Sequence, residues 1–334
     1  MDVALIHLLH QHDMNTTPKV YVACNFPAEV LERFTSRYGA AYNDTDRVLH
    51  TDELIAHTQG VDAIVLTATD RLDKAAVARL SDSVKVVCTY SVGNDHLDLD
   101  ALQARGIAVL STPDVLSEAC ADAAWLLMLG AARRVIESID LIRQGTWQGW
   151  SPKQLIGREV WGSRLGILGM GRIGQAIAKR AKGFDMEVHY HNRNRLGSDQ
   201  EAGAQYHSSL ESLARHSDFL CVACPASPST RGLINANVLQ HLPSGAIVCN
   251  ISRGDIIVDE DLLQALKSGA VAAAGLDVFA GEPNIHPEYR QLPNVFGLPH
   301  IGSSTLRTRL AMADLLCSGL DAHFAGETPS NRIR

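Results

Sequence analysis

The chain has 334 residues, 46% hydrophobic and 20% charged, which is enough apolar material for about two ordinary domains and argues against disorder. Its 37 acidic residues outnumber 30 basic ones for a net charge of −7, and no Lys/Arg block stands out, so a nucleic-acid partner, which needs a basic face, is excluded. Seven scattered cysteines, an odd number, point to a reducing, cytoplasmic setting and not to a disulfide scaffold.

Residues 1–17 carry His7, His10 and His12 and read as a solvated tail; Asp2 stands where a secretory signal needs a basic start. From Lys19 short apolar runs alternate with helical stretches. Strands are expected over 20–23, 63–66, 84–87 and 108–110, with a helix over 28–38. The runs are apolar at consecutive positions, as in parallel sheets covered on both faces. A long helix is expected over about 116–144. Its apolar part, 119–132, is too short to span a bilayer, carries Asp122 and is followed by Arg133 and Arg134, so it reads as a buried helix and no membrane partner is expected.

A second alternating series begins at Arg164, with strands expected over 165–168, 187–190, 219–222, 246–249, 273–277 and 295–298, and a last helix over 304–324. Two such series predict an α/β chain of two doubly wound parallel-sheet domains. The pair Cys221 and Cys224 falls in the apolar run after Asp218. No second pair completes a tetrahedral site, so no metal is expected.

The sharpest motif is Gly169-Met170-Gly171-Arg172-Ile173-Gly174, which follows a strand and opens a helix. In that context GxGxxG is a dinucleotide loop: the first Gly makes the turn, the second lets the pyrophosphate approach the backbone, and the third lets helix and strand pack. At the end of the next strand the chain reads Tyr190-His191-Asn192-Arg193-Asn194-Arg195, with no carboxylate before Asp199. An NAD site usually presents an acid there for the ribose 2′-OH, whereas Arg193 and Arg195 suit a 2′-phosphate, so NADPH is expected to be preferred over NADH.

Three chemistry-bearing residues follow strands of the second series. They are Arg253 in Asn250-Ile251-Ser252-Arg253-Gly254, Glu282 in Gly281-Glu282-Pro283, and His300 in Pro299-His300-Ile301-Gly302-Ser303. Residues just beyond strand carboxyl ends face the ligand crevice of an open sheet. Together they suit reduction of a 2-oxo acid: a guanidinium to grip the carboxylate, an imidazole to supply the proton, and a carboxylate to orient the imidazole and favour its charged form.

With these motifs the chain, from about Lys19 onward, resembles the D-isomer-specific 2-hydroxyacid dehydrogenases. The resemblance implies a flavodoxin-like substrate-binding domain over 1–112 and 302–334 and a Rossmann cofactor domain over 113–301. It gives Arg253 the role of substrate anchor, His300 that of acid/base and Glu282 that of its support. It places Val92 and Gly93, in the loop Ser91-Val92-Gly93-Asn94-Asp95-His96, and Ser303 beside the substrate. Cofactor contacts are implied at Gly169, Gly171, Arg172, Ile173 and Gly174, at Asn192, Arg193 and Arg195, and at Pro225, Ile251 and Asp277. A homodimer held by the cofactor domains is implied too. Within the family the run Gly145-Thr146-Trp147-Gln148-Gly149-Trp150 resembles the Trp-bearing loop of glyoxylate/hydroxypyruvate reductases, with Trp150 ahead of Trp147 as the side chain that enters the neighbouring subunit's substrate site. Glu282 stands where the formate dehydrogenase branch carries an amide. The expected reaction is reduction of glyoxylate, hydroxypyruvate or a similar small 2-oxo acid. Two other readings stay open: a larger acid such as 2-ketogluconate on the same scaffold, and a nucleotide-sensing corepressor-like protein, against which the absence of a long tail after the last helix argues.

Overall fold

The computed structural model describes residues 17–333; His7, His10 and His12 lie outside them. The described chain divides into two units, one running to Pro113 and resuming at Arg309, the other spanning Asp114–Thr308.

The first unit holds β1 (Val20–Val22), α1 (Ala28–Tyr38), β2 (Ala41–Tyr42), α2 (Thr51–Ala56), β3 (Ala63–Leu66), α3 (Lys74–Arg79), β4 (Val86–Thr89), α4 (Leu99–Ala104) and β5 (Ala108–Leu110). The second holds α5 (Ser117–Ala132), α6 (Val135–Arg143), β6 (Arg164–Leu168), α7 (Arg172–Ala181), β7 (Glu187–His191), α8 (Ser198–Glu201), β8 (Gln205–Tyr206), α9 (Leu210–Arg215), β9 (Phe219–Val222), α10 (Ala236–Leu239), β10 (Ile247–Asn250), α11 (Asp259–Ser268), β11 (Ala273–Leu276) and β12 (Val295–Gly297). Helix α12 (Leu306–Phe324) starts in the second unit, and β13 (Arg332–Ile333) belongs to the first. The chain therefore changes unit inside α12, between Thr308 and Arg309, and not ahead of that helix at 302.

In the first sheet the order is β13-β5-β4-β3-β1-β2, parallel except for β13, which runs antiparallel to β5. Without β13 this is the doubly wound flavodoxin-like order. Strand β4 starts two residues later than its apolar run suggests. Val84 is spent in a turn in which its N–H donates to Ser81 O at 3.1 Å, and pairing with β3 begins at Val86 opposite Ala63.

The second sheet runs β12-β11-β10-β9-β6-β7-β8, with every pairing parallel. This is the Rossmann order, extended by one strand, with its switch point between β6 and β9. Strands β9, β10 and β11 are buried at every residue, which is why they read as unbroken apolar runs. The expected single helix over 116–144 is two helices. Ala132 O accepts from the Arg158 N–H at 2.9 Å, and Arg134 turns left-handed at φ 52°. Helix α5 is apolar around most of its girth because it lies on the sheet: a Cβ at Gly275 in β11 would sit 2.6 Å from Leu127 O, and one at Gly130 would sit 2.4 Å from the Phe296 ring. Among the described residues no helix is long and apolar enough to cross a membrane.

Strands β7 and β8 and helix α9 enclose a histidine cluster. His189 Nδ1 lies 3.0 Å from His207 Nε2, and His207 Nδ1 lies 2.8 Å from Ser212 Oγ. The His216 ring lies tilted against that of His207, with centroids 4.8 Å apart. Burial, reinforced by the charges its neighbours His189, His216 and His191 would carry, holds His207 down to about 4, and burial first also depresses His189. A folded state that refuses protons loses stability as pH falls below the ordinary histidine value of ~6.5. The thermal midpoint should accordingly fall as the buffer is taken from about pH 6.5 toward 4, and His207→Asn should flatten the profile in that window. Parallel melts of the two proteins across this range check it; equal slopes would rule the cluster out as the cause.

Candidate active site

The glycine loop joins β6 to α7 where the sheet changes winding direction. Gly169 has φ +99°, and a Cβ there would lie 2.4 Å from Cys224 N; at Gly174 it would lie 2.3 Å from Gly169 O. A Cβ at Gly171 meets nothing within 4 Å, so this face of the loop is open. Gly171 caps α7 without a side-chain hydrogen bond, which leaves the helix N–H groups and the positive dipole end to an anion. A closed turn, a close-packed helix and an open, uncapped N-terminus fit a dinucleotide pyrophosphate. Gly169, Gly171, Ile173 and Gly174 would hold it through backbone. Arg172 is ion-paired with Asp114, which secures the first turn of α7.

The loop after β7 is stitched to this turn. Gly169 N donates to His191 O at 3.0 Å, and Met170 N to Asn192 Oδ1 at 2.7 Å. Arg193 is exposed and, among the described residues, makes no ion pair or hydrogen bond through its side chain. Arg195 departs from expectation. Its Nε and Nη2 reach Glu201 Oε1 and Oε2 at 2.7 and 3.1 Å, so its charge is already committed to a carboxylate from α8. Spacing hid this, because Glu201 lies beyond the stretch in which a competing acid is usually sought.

On the far side of the switch point, Ile251 is packed into the core with its N–H on Val222 O at 3.3 Å, and Pro225 is exposed at the start of the loop after β9. Arg253 follows β10 on a turn built by Asn250. The buried Asn250 side chain donates from Nδ2 to Arg253 O at 2.8 Å and accepts from Ser252 N at 3.0 Å. Ser252 Oγ donates to Cys224 O, tying this turn to the loop that backs Gly169. A Cβ at Gly254 would sit 1.8 Å from the Phe279 carbonyl carbon, so the Arg253 turn rests directly on the segment that carries Glu282.

Glu282 Oε1 accepts from Phe279 N at 2.7 Å, and Oε2 lies 2.8 Å from His300 Nδ1. Burial pushes the Glu282 carboxyl up, but the bonds from His300 and Phe279 and the nearby charges of His300 and Arg253 outweigh it, and the net shift is downward. The carboxylate thus stays ionised below the usual glutamate range. Donation to it from Nδ1 leaves Nε2 as the working face of His300. His300 itself has φ 56°, a left-handed conformation uncommon outside glycine.

Asp277 explains how that conformation is held. It is 1% exposed, its carboxylate oxygens accept from Ile301 N and Gly302 N at 2.8 Å each, and its backbone O accepts from His300 N at 2.8 Å. The buried Asp277 side chain therefore clamps the His300 loop. Burial also raises its carboxyl against the pull of those two N–H groups. Ser303, half-buried, follows in the turn before α12. Sequence reasoning missed Asn250 and the clamping role of Asp277; a polar residue at the last position of an apolar strand was the available signal.

In the first unit the loop after β4 is closed by its own side chains. Thr89 Oγ1 lies 2.6 Å from Ser91 Oγ and 2.9 Å from His96 Nε2, and Ser91 Oγ donates to Gly93 O at 2.6 Å. Val92 is 42% exposed at its tip. Trp150 and Trp147 are 83% and 52% exposed in the second unit. Cys221 and Cys224 are buried free thiols. A cavity of about 240 Å³ lined by Gly130, Ile247, Ala273, Asn294 and Phe296 lies at the amino ends of β10–β12, the edge opposite Arg253 and His300.

A glycine-loop Rossmann sheet with Arg, Glu and His at three successive strand ends defines an oxidoreductase with a nicotinamide cofactor. The family description "D-isomer specific 2-hydroxyacid dehydrogenase, NAD binding domain" matches residues 125–302. Glycerate dehydrogenase of Hyphomicrobium methylovorum is 41% identical over 310 residues, 92% of this chain and 96% of that protein. A crystal structure from Polaromonas sp. JS6 66, described as an NAD-binding D-isomer specific 2-hydroxyacid dehydrogenase, has 44% identity and a TM-score of 0.90, covering 95% of this chain and 99% of that one. NADPH-dependent glyoxylate/hydroxypyruvate reductase of Sinorhizobium meliloti, solved with NADP and malonate, has 33% identity and a TM-score of 0.85, with 95% and 97% covered. The chain belongs to the D-isomer specific 2-hydroxyacid dehydrogenase family.

The contact beneath Gly254 yields a test of the scaffold. Gly254→Ala should destabilise the protein by about 1–3 kcal/mol through overpacking against backbone that has no flexible end to yield. It should also cut turnover more than it cuts stability-matched controls, since it pushes Arg253 and Glu282 apart. Chemical denaturation and steady-state rates on the same preparation measure both effects.

Proposed function

We propose that this protein reduces small 2-oxo acids, glyoxylate and hydroxypyruvate foremost, to D-2-hydroxy acids, with NADPH preferred over NADH. The observation that carries the reading is the His300–Glu282 pair at 2.8 Å, at the carboxyl end of the sheet whose neighbouring turn bears Arg253. The names of the relatives from Hyphomicrobium and Sinorhizobium support the substrate class, and the NADP bound to the latter supports the cofactor.

When bound at the glycine loop, the nicotinamide supplies the hydride that reduces C2. Arg253 grips the substrate carboxylate in two-point fashion and draws electron density from the adjacent carbonyl. His300, held by Glu282 through Nδ1, gives its Nε2 proton to the oxygen as negative charge builds there. Val92, Gly93 and Ser303 complete the substrate contacts on the strength of the family resemblance. Arg193 recognises the 2′-phosphate in a loop free of any acid directly after β7. Trp150, exposed in a single chain, suits a homodimer in which it meets the partner copy.

Loss of absorbance at the nicotinamide band, with NADPH or NADH against glyoxylate, hydroxypyruvate, pyruvate and 2-ketogluconate, tests the reading. Fast NADPH oxidation by the small acids is expected. A clearly lower KM for NADH would overturn the cofactor preference, and turnover confined to 2-ketogluconate would move the substrate to a larger acid. His300→Asn should lower kcat by about 10²–10⁴-fold, and undiminished turnover would remove His300 from the chemistry. Arg193→Ala should raise KM for NADPH by roughly 10–100-fold and that for NADH far less, the scale of one charged hydrogen bond.

A further inference from the structure

Two arginines follow β7, and the structure treats them differently. Arg195 is 64% exposed along its side chain, yet it is paired through both Nε and Nη2 to Glu201, whose side chain is only 11% exposed. Glu201 is also fixed by Tyr190, whose hydroxyl donates to the same Oε1 at 2.6 Å and accepts from Leu196 N at 3.0 Å. The guanidinium also sits over the Tyr206 ring at 5.8 Å. The assembly is continuous with the glycine loop, because Asn192 accepts from Met170 N through Oδ1.

We propose that Glu201 is a positioning residue for cofactor choice: by holding the Arg195 guanidinium in a two-point pair it withholds that charge from a ribose 2′-phosphate and leaves discrimination to Arg193. The inference rests on the preceding assignment of this loop to a dinucleotide. A paired guanidinium and carboxylate present a dipole to an approaching phosphate where an unpaired guanidinium presents a full charge, and the carboxylate itself repels the phosphate. Glutamine at 201 removes the competing charge while keeping the side-chain length and an oxygen for the Tyr190 hydroxyl.

The probes are 2′,5′-ADP and 5′-AMP, which differ by the 2′-phosphate alone, titrated calorimetrically into the full-length protein. Glu201→Gln should tighten 2′,5′-ADP by about tenfold and 5′-AMP by far less. The gain should vanish in the double variant Glu201→Gln/Arg195→Ala, and 5′-AMP binding reports that each variant is folded. Equal shifts for both probes, no change in their ratio, or a gain that survives loss of Arg195 would overturn the role of Glu201. A wild-type protein that binds 5′-AMP more tightly than 2′,5′-ADP would instead refute the NADPH preference alone, since the change in ratio still reads Glu201; a protein that binds neither probe refutes both.

Discussion

The His300 loop depends on Asp277, whose buried carboxylate and backbone carbonyl hold the N–H groups of His300, Ile301 and Gly302. Asp277 directly follows the fully buried strand β11 and accepts from the N–H groups of Ile301 and Gly302, while its own carbonyl accepts from His300 N. Three consecutive backbone donors are thereby fixed to one residue. Such a concentration of N–H groups is what forces a left-handed turn at His300, and the satisfied carboxylate offsets the strain of a non-glycine residue there. Burying a carboxylate is costly unless its oxygens are occupied, so the clamp has no intermediate state: loss of either N–H leaves an unsatisfied charge in the core. The placement of His300 is thus written into the residue that follows β11, one strand before the histidine occurs.

The same reasoning explains which parts of the molecule were legible from sequence. Strands β1, β3, β5 and β9 are short apolar runs because helices cover both sheet faces, and nothing else in the chain competes for that pattern. The glycine loop was legible because each glycine answers a separate steric demand, two from backbone closer than any Cβ permits and one from open space. Arg253, Glu282 and His300 could be placed because they follow strands. The errors share a different origin. The break between α5 and α6 comes from Arg158, a residue far along the chain that takes the Ala132 carbonyl. Pairing of Arg195 with Glu201 was missed for a related reason: the acid is supplied by a helix, α8, of only four residues that carries no strong periodic signal. In each case a partner that periodicity does not flag redirected a local preference.

A division of labour between backbone and side chain runs through the cofactor unit. Geometry that must be exact to a fraction of an ångström, at Gly169, Gly254 and the His300 loop, is enforced by backbone packing and backbone donors, which have no rotamers to lose. The charged side chains on the loop after β7 are less fixed: Arg193 stays exposed and Arg195 is tethered to Glu201. Rigid elements can hold an acid and an anchor in register across very different substrates, because neither contact reads the substrate beyond its carboxylate and carbonyl. On the reading proposed for the loop after β7, selectivity for the cofactor rests by contrast on the balance of a few partly exposed charges, which an altered ion pair shifts without disturbing the strands beneath.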